Sequence, residues 1–458
     1  MAAGLSVDLD RWRQDFDELM LRVGGRFAGV EPRRRMVSFV RGLLAGLARV
    51  NCWTIAEHAG ERCPRGMQRL LSAAVWDEGG VRDDLRDYVL EHFADPGAVL
   101  VADETGDLKH GTATVGTQRQ YTGTAGRTEN AQVAVYLAYA APAGAAFIDR
   151  ALYLPRSWTG DPARCRAAGV PQDTAFAANP ALARQMITRA LDAGTPAAWA
   201  TADEIYGQDP ALRAALARRG LGYVLAVAQS HPVTTAIGPR PAAKLAQLLP
   251  TRAWQRLSAG PGAKGPRWHD RAWIEAADPA VTEGSGPHWL LIRRRISDGE
   301  YAFYLAHAPH PVPLAQLVRV AGSRWKVEDG FAAGKELAAL DEHQVRRWTS
   351  WHRWTILALL ACAFLSVLAA GPSRQRPYSQ RPAMRSADCS PDCASSRLRP
   401  PCSCIGRDGD GSIRPLPAGA ITSAARPLSL ILGSEMRLPH GPHRINVPPW
   451  RSPACTAA

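Results

Sequence analysis

No uninterrupted apolar run of this 458-residue sequence reaches the roughly 20 residues of a membrane span. The longest apolar run, Thr355–Ala370, has 16 residues and is expected to be a buried core helix. Met1–Asp10 lacks the basic-then-apolar run of a secretory leader. The nine cysteines lack the spacing of a disulfide framework, which points to a reducing cytoplasm rather than secretion. Residues 1–370 hold no histidine or cysteine spacing suited to zinc, no serine-hydrolase motif and no phosphate-binding glycine loop. What the chain does have is positive charge. Lys and Arg number 55 against 42 Asp and Glu, a formal net charge of +13. Hydrophobic residues make up 46% and charged residues 21%, so a globular chain carries a surplus suited to a polyanion, nucleic acid before a membrane surface. The length allows two or three domains with a large core.

Residues 1–95 read as an α-helical N-terminal domain. Asp10–Val23 and Arg33–Ala48 place apolar residues at helical spacing among many arginines. Trp53–Ala59 and Arg65–Ala74 flank a break at Gly60–Pro64, which is compatible with a helix-turn-helix and DNA contact, though two packed helices with basic ends are commoner. From Pro96 the pattern turns to short apolar runs. Strands are expected at Ala98–Ala102, Gln132–Ala140, Phe147–Leu154, Ala197–Ala202 and Gly222–Ala228, with helices at Pro180–Ala193 and Pro210–Arg219. That order predicts a mixed α/β sheet over 96–229. Residues 230–320 read as a β-rich insertion with strands near Trp289–Ile296 and Tyr301–Ala306. Its Trp254, Trp268, Trp273 and Trp289 suit base stacking or a small β core equally well. Residues 321–370 are expected to be core-closing helices.

Two carboxylates, Asp103 and Asp203, each close an apolar strand. If Arg324 through Lys335 is helical, steps of 4 and 11 place Arg324, Glu328 and Lys335 within about 40° of one face. Alone, such a helix is an ordinary ion-paired surface. Joined to the two aspartates, Glu328 completes an oxygen-only cluster of the kind Mg²⁺ or Mn²⁺ prefers. Two such ions can activate an attacking oxygen and stabilise a leaving one at a phosphodiester. Glu104 and Glu204 adjoin the aspartates, but alternation along a strand argues against them as ligands.

The residues at these positions resemble bacterial insertion-sequence transposases of the DDE type, in particular the DDE superfamily endonuclease group and the branch with a Y-x2-R-x3-E-x6-K signature. The resembling blocks are Val101-Ala-Asp-Glu-Thr-Gly with Lys109, Gln118-Arg-Gln-Tyr-Thr-Gly-Thr-Ala-Gly126, Glu129-Asn-Ala-Gln-Val133 and Asp149-Arg-Ala-Leu-Tyr-Leu-Pro155. They continue with Trp158-Thr-Gly-Asp161, Thr201-Ala-Asp-Glu-Ile-Tyr-Gly207, Gly322-Ser-Arg-Trp325, Glu328 through Lys335 and Val345-Arg-Arg-Trp348. The resemblance implies an RNase H-like mixed-sheet catalytic core interrupted by the β-rich insertion. It implies Asp103, Asp203 and Glu328 as a catalytic triad holding two Mg²⁺ or Mn²⁺ ions, and Arg324, Lys335, Lys109, Arg119 and Tyr121 as DNA contacts. The implied partners are the terminal inverted repeats of an insertion sequence and target duplex DNA, with a homodimer in the DNA complex, in the bacterial cytoplasm at the nucleoid and with no membrane. Two positions depart from the pattern: Ala321 stands where the signature has tyrosine, and Asn179 where a lysine is expected. Alternative readings are a DDE-fold endonuclease without strand transfer and an inactive, DNA-binding-only remnant.

Residues 371–458 change character, with no lysine, five of the nine cysteines and fourteen prolines. A disordered basic tail and a zinc module of Cys389, Cys393, Cys402 and Cys404 are two readings of this Pro/Arg-rich segment. The third is a frameshift shortly after Ala370. Read from the third base of each codon, residues 383–393 permit Asn-Glu-Ile-Arg-Arg-Leu-Phe-Ala-Arg-Leu. Residues 404–424 permit a second Arg- and Trp-rich string in the same frame. Both resemble the end of the same transposase group, so the segment is expected to be out of frame. Coding DNA without those residues in that frame would overturn this. An in-frame basic tail would have added phosphate contacts.

Overall fold

Helical periodicity in the first hundred residues becomes five helices, α1 (Leu9–Gly24), α2 (Val30–Leu44), α3 (Cys52–His58), α4 (Arg65–Leu71) and α5 (Glu78–Phe93). These coordinates are a computed structural model that describes residues 9–262, 265–282 and 284–371; the Pro/Arg-rich tail and its expected frame change lie outside them. On α1 the buried Phe16, Leu19, Met20 and Val23 recur at helical spacing. α3 begins at a capping box, with Asn51 accepting from the Thr54 N–H and the Thr54 hydroxyl accepting from the Asn51 N–H. The sequence reading covers α5 only as part of a helical domain, without bounds of its own. Gly79 and Gly80 weaken its first turn, and the Asp77 carboxylate starts it by accepting the Gly80 N–H.

Four strands follow: β1 (Val99–Leu108), β2 (Gln118–Thr122), β3 (Arg127–Ala140) and β4 (Ala145–Leu152). After the short helices α6 (Arg156–Thr159) and α7 (Pro162–Ala168) come α8 (Asn179–Asp192), β5 (Trp199–Ala202), α9 (Glu204–Gly207), α10 (Pro210–Arg218) and β6 (Gly222–Val227). β1, β5 and β6 run parallel, and β3 is antiparallel to β1. This is the mixed sheet of an RNase H-like core.

The insertion contributes a small ribbon, β7 (Pro232–Thr235) and β8 (Gly238–Pro241), then α11 (Ala242–Gln247), β9 (Gln255–Gly262), β10 (Gly265–Ala276), β11 (His288–Arg294) and β12 (Tyr301–His307). Its last four strands continue the core sheet. β12 pairs antiparallel with β6, giving the order β2-β3-β1-β5-β6-β12-β11-β10-β9, with β4 also on β3. Without β12, β6 would present an unpaired edge of N–H and C=O groups. Trp273 stacks on the buried Trp289 at 5.2 Å, and Trp254 carries the Arg294 guanidinium 4.3 Å above its ring, so these three serve the β packing. Trp268 is exposed.

The chain closes through α12 (Leu314–Ser323), α13 (Trp325–Ala338) and α14 (Trp348–Ala370). α14 is apolar on every side and packs among α2, α5, α13 and β4. By length and composition it could cross a membrane, yet 72% of its most apolar window is buried inside the protein. Phe364 meets Phe16 edge-on at 5.4 Å, and Trp354 meets Phe39 at 5.3 Å, so the N-terminal helices share one core with the sheet.

Candidate active site

β1 and β5 pair Ala102 with Ala202. Asp203 follows the end of β5, as expected, but Asp103 does not close its strand: it lies beside Asp203 midway along β1, which runs on to Leu108 against β3. The two carboxylates meet where the parallel pairing stops, the side at which open α/β sheets bind ligands. Asp103 stays on β1, is 6% exposed, and accepts the N–H of Glu104 at 3.0 Å. Asp203 caps α9, accepting the Ile205 N–H at 3.0 Å. α9 can lie this close to β6 because its last residue is Gly207; a Cβ there would stand 1.9 Å from the Ala226 carbonyl oxygen.

Glu104 enters the same site. The Tyr206 hydroxyl donates to its Oε2 at 2.5 Å, and Asn179, at the start of α8, is a further hydrogen-bond partner. One carboxylate oxygen from each of Asp103, Glu104 and Asp203 lies within 4.8 Å of the others. The expectation from strand alternation thus fails for Glu104. Asp103 folds along the strand toward its neighbour's N–H, and the longer Glu104 side chain reaches the same space. The Asp-Glu pair repeated after both apolar runs was the available signal. Glu204 is not on a strand but opens α9, where it is exposed and accepts from Gln208 at 3.2 Å.

α13 forms the facing wall. Arg324, just before its first turn, donates to Asp103 at 2.6 Å and to Glu328 at 3.4 Å. Lys335 donates to the Thr105 hydroxyl at 2.9 Å. Asp103, Asp203, Arg324, Glu328, Lys335 and Tyr121 all line one cleft of about 800 Å³. Glu328 stands outside the close group of three carboxylates and is tied to Arg324 instead. Arg119 is exposed on β2 and does not line the cleft. Lys109 turns away from it altogether. Its Nζ donates to the His343 carbonyl at 3.2 Å and lies near Asp107, with a side chain only 10% exposed, so it does not present its charge to the cleft. His343, buried and 3.0 Å from Asp107 through Nε2, is a structural partner that the sequence reading did not single out. Ala321 lies on α12, packed against the core.

Burial pushes the Asp103 carboxyl up to about 7; Arg324 opposes this, while Asp203, Glu104 and Glu328 add to it. Asp203 and Glu104 are also raised, in each case chiefly by burial. Crowded, partly desolvated carboxylates with oxygen-only donors fit a hard divalent cation. The Arg324 guanidinium supplies the positive charge that Asp103 meets here.

Residues 27–264 match the family described as DDE superfamily endonuclease. The match takes in Asp103, Glu104 and Asp203 and ends before α13. A curated protein described as a probable transposase for insertion sequence element IS701, from Microchaete diplosiphon, is 28% identical over 196 residues. The alignment covers 42% of this chain and 48% of that protein, so the chain spans about half the length of the curated relative it matches.

Proposed function

Since the chain belongs to the DDE superfamily endonucleases, we propose that it is a DNA transposase that cleaves at the ends of an insertion sequence. The proposed reaction is two-metal-ion phosphodiester hydrolysis followed by transesterification that joins those ends to target DNA. One observation carries the reading: Asp103, Glu104 and Asp203 crowd their oxygens into a cleft whose opposite wall presents Glu328 between Arg324 and Lys335.

In this reading Asp103, Asp203 and Glu328 are the catalytic carboxylates and would hold Mg²⁺ or Mn²⁺, with Glu104 beside them. Such ions supply charge neutralisation at the scissile phosphate and a lowered pKa for the attacking hydroxyl. The chain's own groups do the rest. Tyr206 orients Glu104, the α9 N–H of Ile205 orients Asp203, and Arg324 and Lys335 hold phosphate oxygens of the strand being cut. Tyr121 and Arg119 on the neighbouring β2 would follow the same strand outward.

Duplex DNA is proposed to lie also across α3 and α4. Arginines of α1, α2, α5 and the turn after α1 are largely matched by carboxylates, as in Arg22–Glu91, Arg26–Asp84 and Arg41–Asp17. The exposed Arg49, Arg62, Arg65 and Arg69 around α3 and α4 form no such pair among the described residues. The partners are the element's terminal repeats and a target duplex, bound by a homodimer in the cytoplasm at the nucleoid.

Asp103→Asn tests the reading. Incubated with Mg²⁺, an end-bearing duplex and target DNA, the wild type is expected to yield nicked and joined products, and the variant neither, while end binding persists. Unchanged cleavage by the variant would remove Asp103 from the site. Cleavage by the wild type without joined product would reduce the function to that of an endonuclease.

A further inference from the structure

The insertion holds a group of arginines that form no ion pair among the described residues. Arg271 on β10 is 2% exposed, and its Nε and Nη1 have no hydrogen-bond partner. The register sets it directly opposite Arg293 on β11, so two cations rise as cross-strand neighbours from one face of the sheet. Arg267, four residues earlier on β10, donates to the carbonyls of Ala259 and Gly322 at 3.2 and 3.1 Å. The Nε atoms of Arg267 and Arg293 are also buried and unpartnered. Arg293 and Arg267 repel Arg271, and its one side-chain hydrogen-bond partner is the uncharged hydroxyl of Tyr304. Among the described residues none of the three arginines forms an ion pair, and Asp329 reaches Arg267 only as a longer-range charge. The other face of the same strands shows a compensated arrangement, in which Arg294 and Arg256 converge on Asp270 at 3.0 and 3.2 Å.

A buried cation with donors left unpaired is costly, and an anion placed among these three arginines would relieve both the unpaired donors and the mutual repulsion. Guanidinium forks match the spread oxygens of a phosphate. We propose that Arg267, Arg271 and Arg293 form a receptor for a phosphate group, and that in this protein it is a backbone phosphate of the DNA being processed. The DNA assignment rests on the function proposed above. Arg267 links the receptor to catalysis through position. Its contact with the Gly322 carbonyl lies two residues before Arg324, so a phosphate held here registers the strand against the wall that carries Arg324 and Glu328.

The test uses the full chain, inorganic phosphate and a fluorescent duplex of arbitrary sequence. Phosphate is expected to raise the melting temperature of the wild type above that in chloride of equal ionic strength. Arg271→Met is expected to abolish that rise and to melt no lower than the wild type in chloride, because it removes an unpaired charge; a merely structural arginine would destabilise in both salts when lost. Arg293→Gln, at a half-buried position, gives the same reading should Arg271→Met not fold. On the duplex, Arg293→Gln is expected to flatten the log–log salt slope by about one. A phosphate-specific rise that survives in both variants overturns the receptor. Its loss without any change in duplex affinity or slope overturns the DNA assignment and leaves a free anion as the ligand. Neither arm requires cleavage, so a negative result for Asp103 leaves both readable.

Discussion

Gly207 controls where Asp203 sits. With a methyl group at this position colliding with the Ala226 carbonyl, α9 must shift away from β6 and carry its cap residue with it. Gly207→Ala is expected to cost about 1–3 kcal/mol in denaturant unfolding and to weaken Mn²⁺ binding in calorimetric titration; an unchanged Mn²⁺ affinity would show that Asp203 does not depend on this packing. Arg213 holds the same turn from the other side, donating to the Gly207 carbonyl at 2.7 Å while paired with the buried Asp278 at 2.5 Å. Asp278→Asn would leave that guanidinium unpaired and is expected to cost about 3–5 kcal/mol. Burial pushes the Asp278 carboxyl up, but the hydrogen bond and charge of Arg213, with the Ala280 N–H and the Tyr223 hydroxyl, bring it below its ordinary 3.8. A carboxyl depressed in the folded state stabilises above the unfolded value, and the contribution is lost as pH falls through the folded one. The wild-type melting temperature should therefore drop more steeply than that of Asp278→Asn below about pH 4, and parallel curves would refute the pairing. Of the site residues, Asp103 and Asp203 were legible because each ends an apolar run. Glu104 and Lys109 were not, since their side-chain directions depend on Tyr206 and His343, about a hundred residues or more away in sequence.

Among the elements, α14 ties the molecule together. Its buried Arg353 donates to the carbonyls of Leu70 and Ser72 at the end of α4, at 3.3 and 3.1 Å, and lies 4.8 Å over the Trp76 ring. One cation thus satisfies the Ser72 carbonyl and shares that of Leu70 with the Trp76 indole N–H, and it fixes α4 to the helix that packs on α13. Arg353→Met is expected to cost about 1–3 kcal/mol and to weaken binding of an end-bearing duplex more than nicking of arbitrary DNA. Equal losses in gel-shift and nicking assays would argue against α4 as a DNA contact. The apolar run Thr355–Ala370 announced this helix, but the structure extends it back to Trp348, where polar residues and tryptophans obscure the pattern. The bounds of α5 escaped for a related reason: its glycines and scattered charges blur the helical period, and packing against α14, α1 and β4 sustains it.

For the whole molecule, the net charge of +13 sets how DNA affinity responds to salt. If six to ten phosphates are neutralised across the cleft, α3–α4 and the insertion, affinity should fall by about 10³–10⁵ between 50 and 200 mM salt. A fluorescence-anisotropy series in which affinity is insensitive to salt would contradict that footprint. The sequence by itself determined the class of chain, the mixed α/β order, the two aspartates that follow apolar runs and the spacing of Arg324, Glu328 and Lys335. These are local properties, expressed in periods of two and 3.6 residues and in short motifs. Tertiary structure alone decided the rest. It made the insertion an extension of the core sheet through β12 and β6. It brought Glu104 into the carboxylate group, turned Lys109 inward, and left Arg271 buried without a counter-charge. Pairing between distant strands and the direction of a side chain at a junction depend on contacts across the fold, which no local period in the chain encodes.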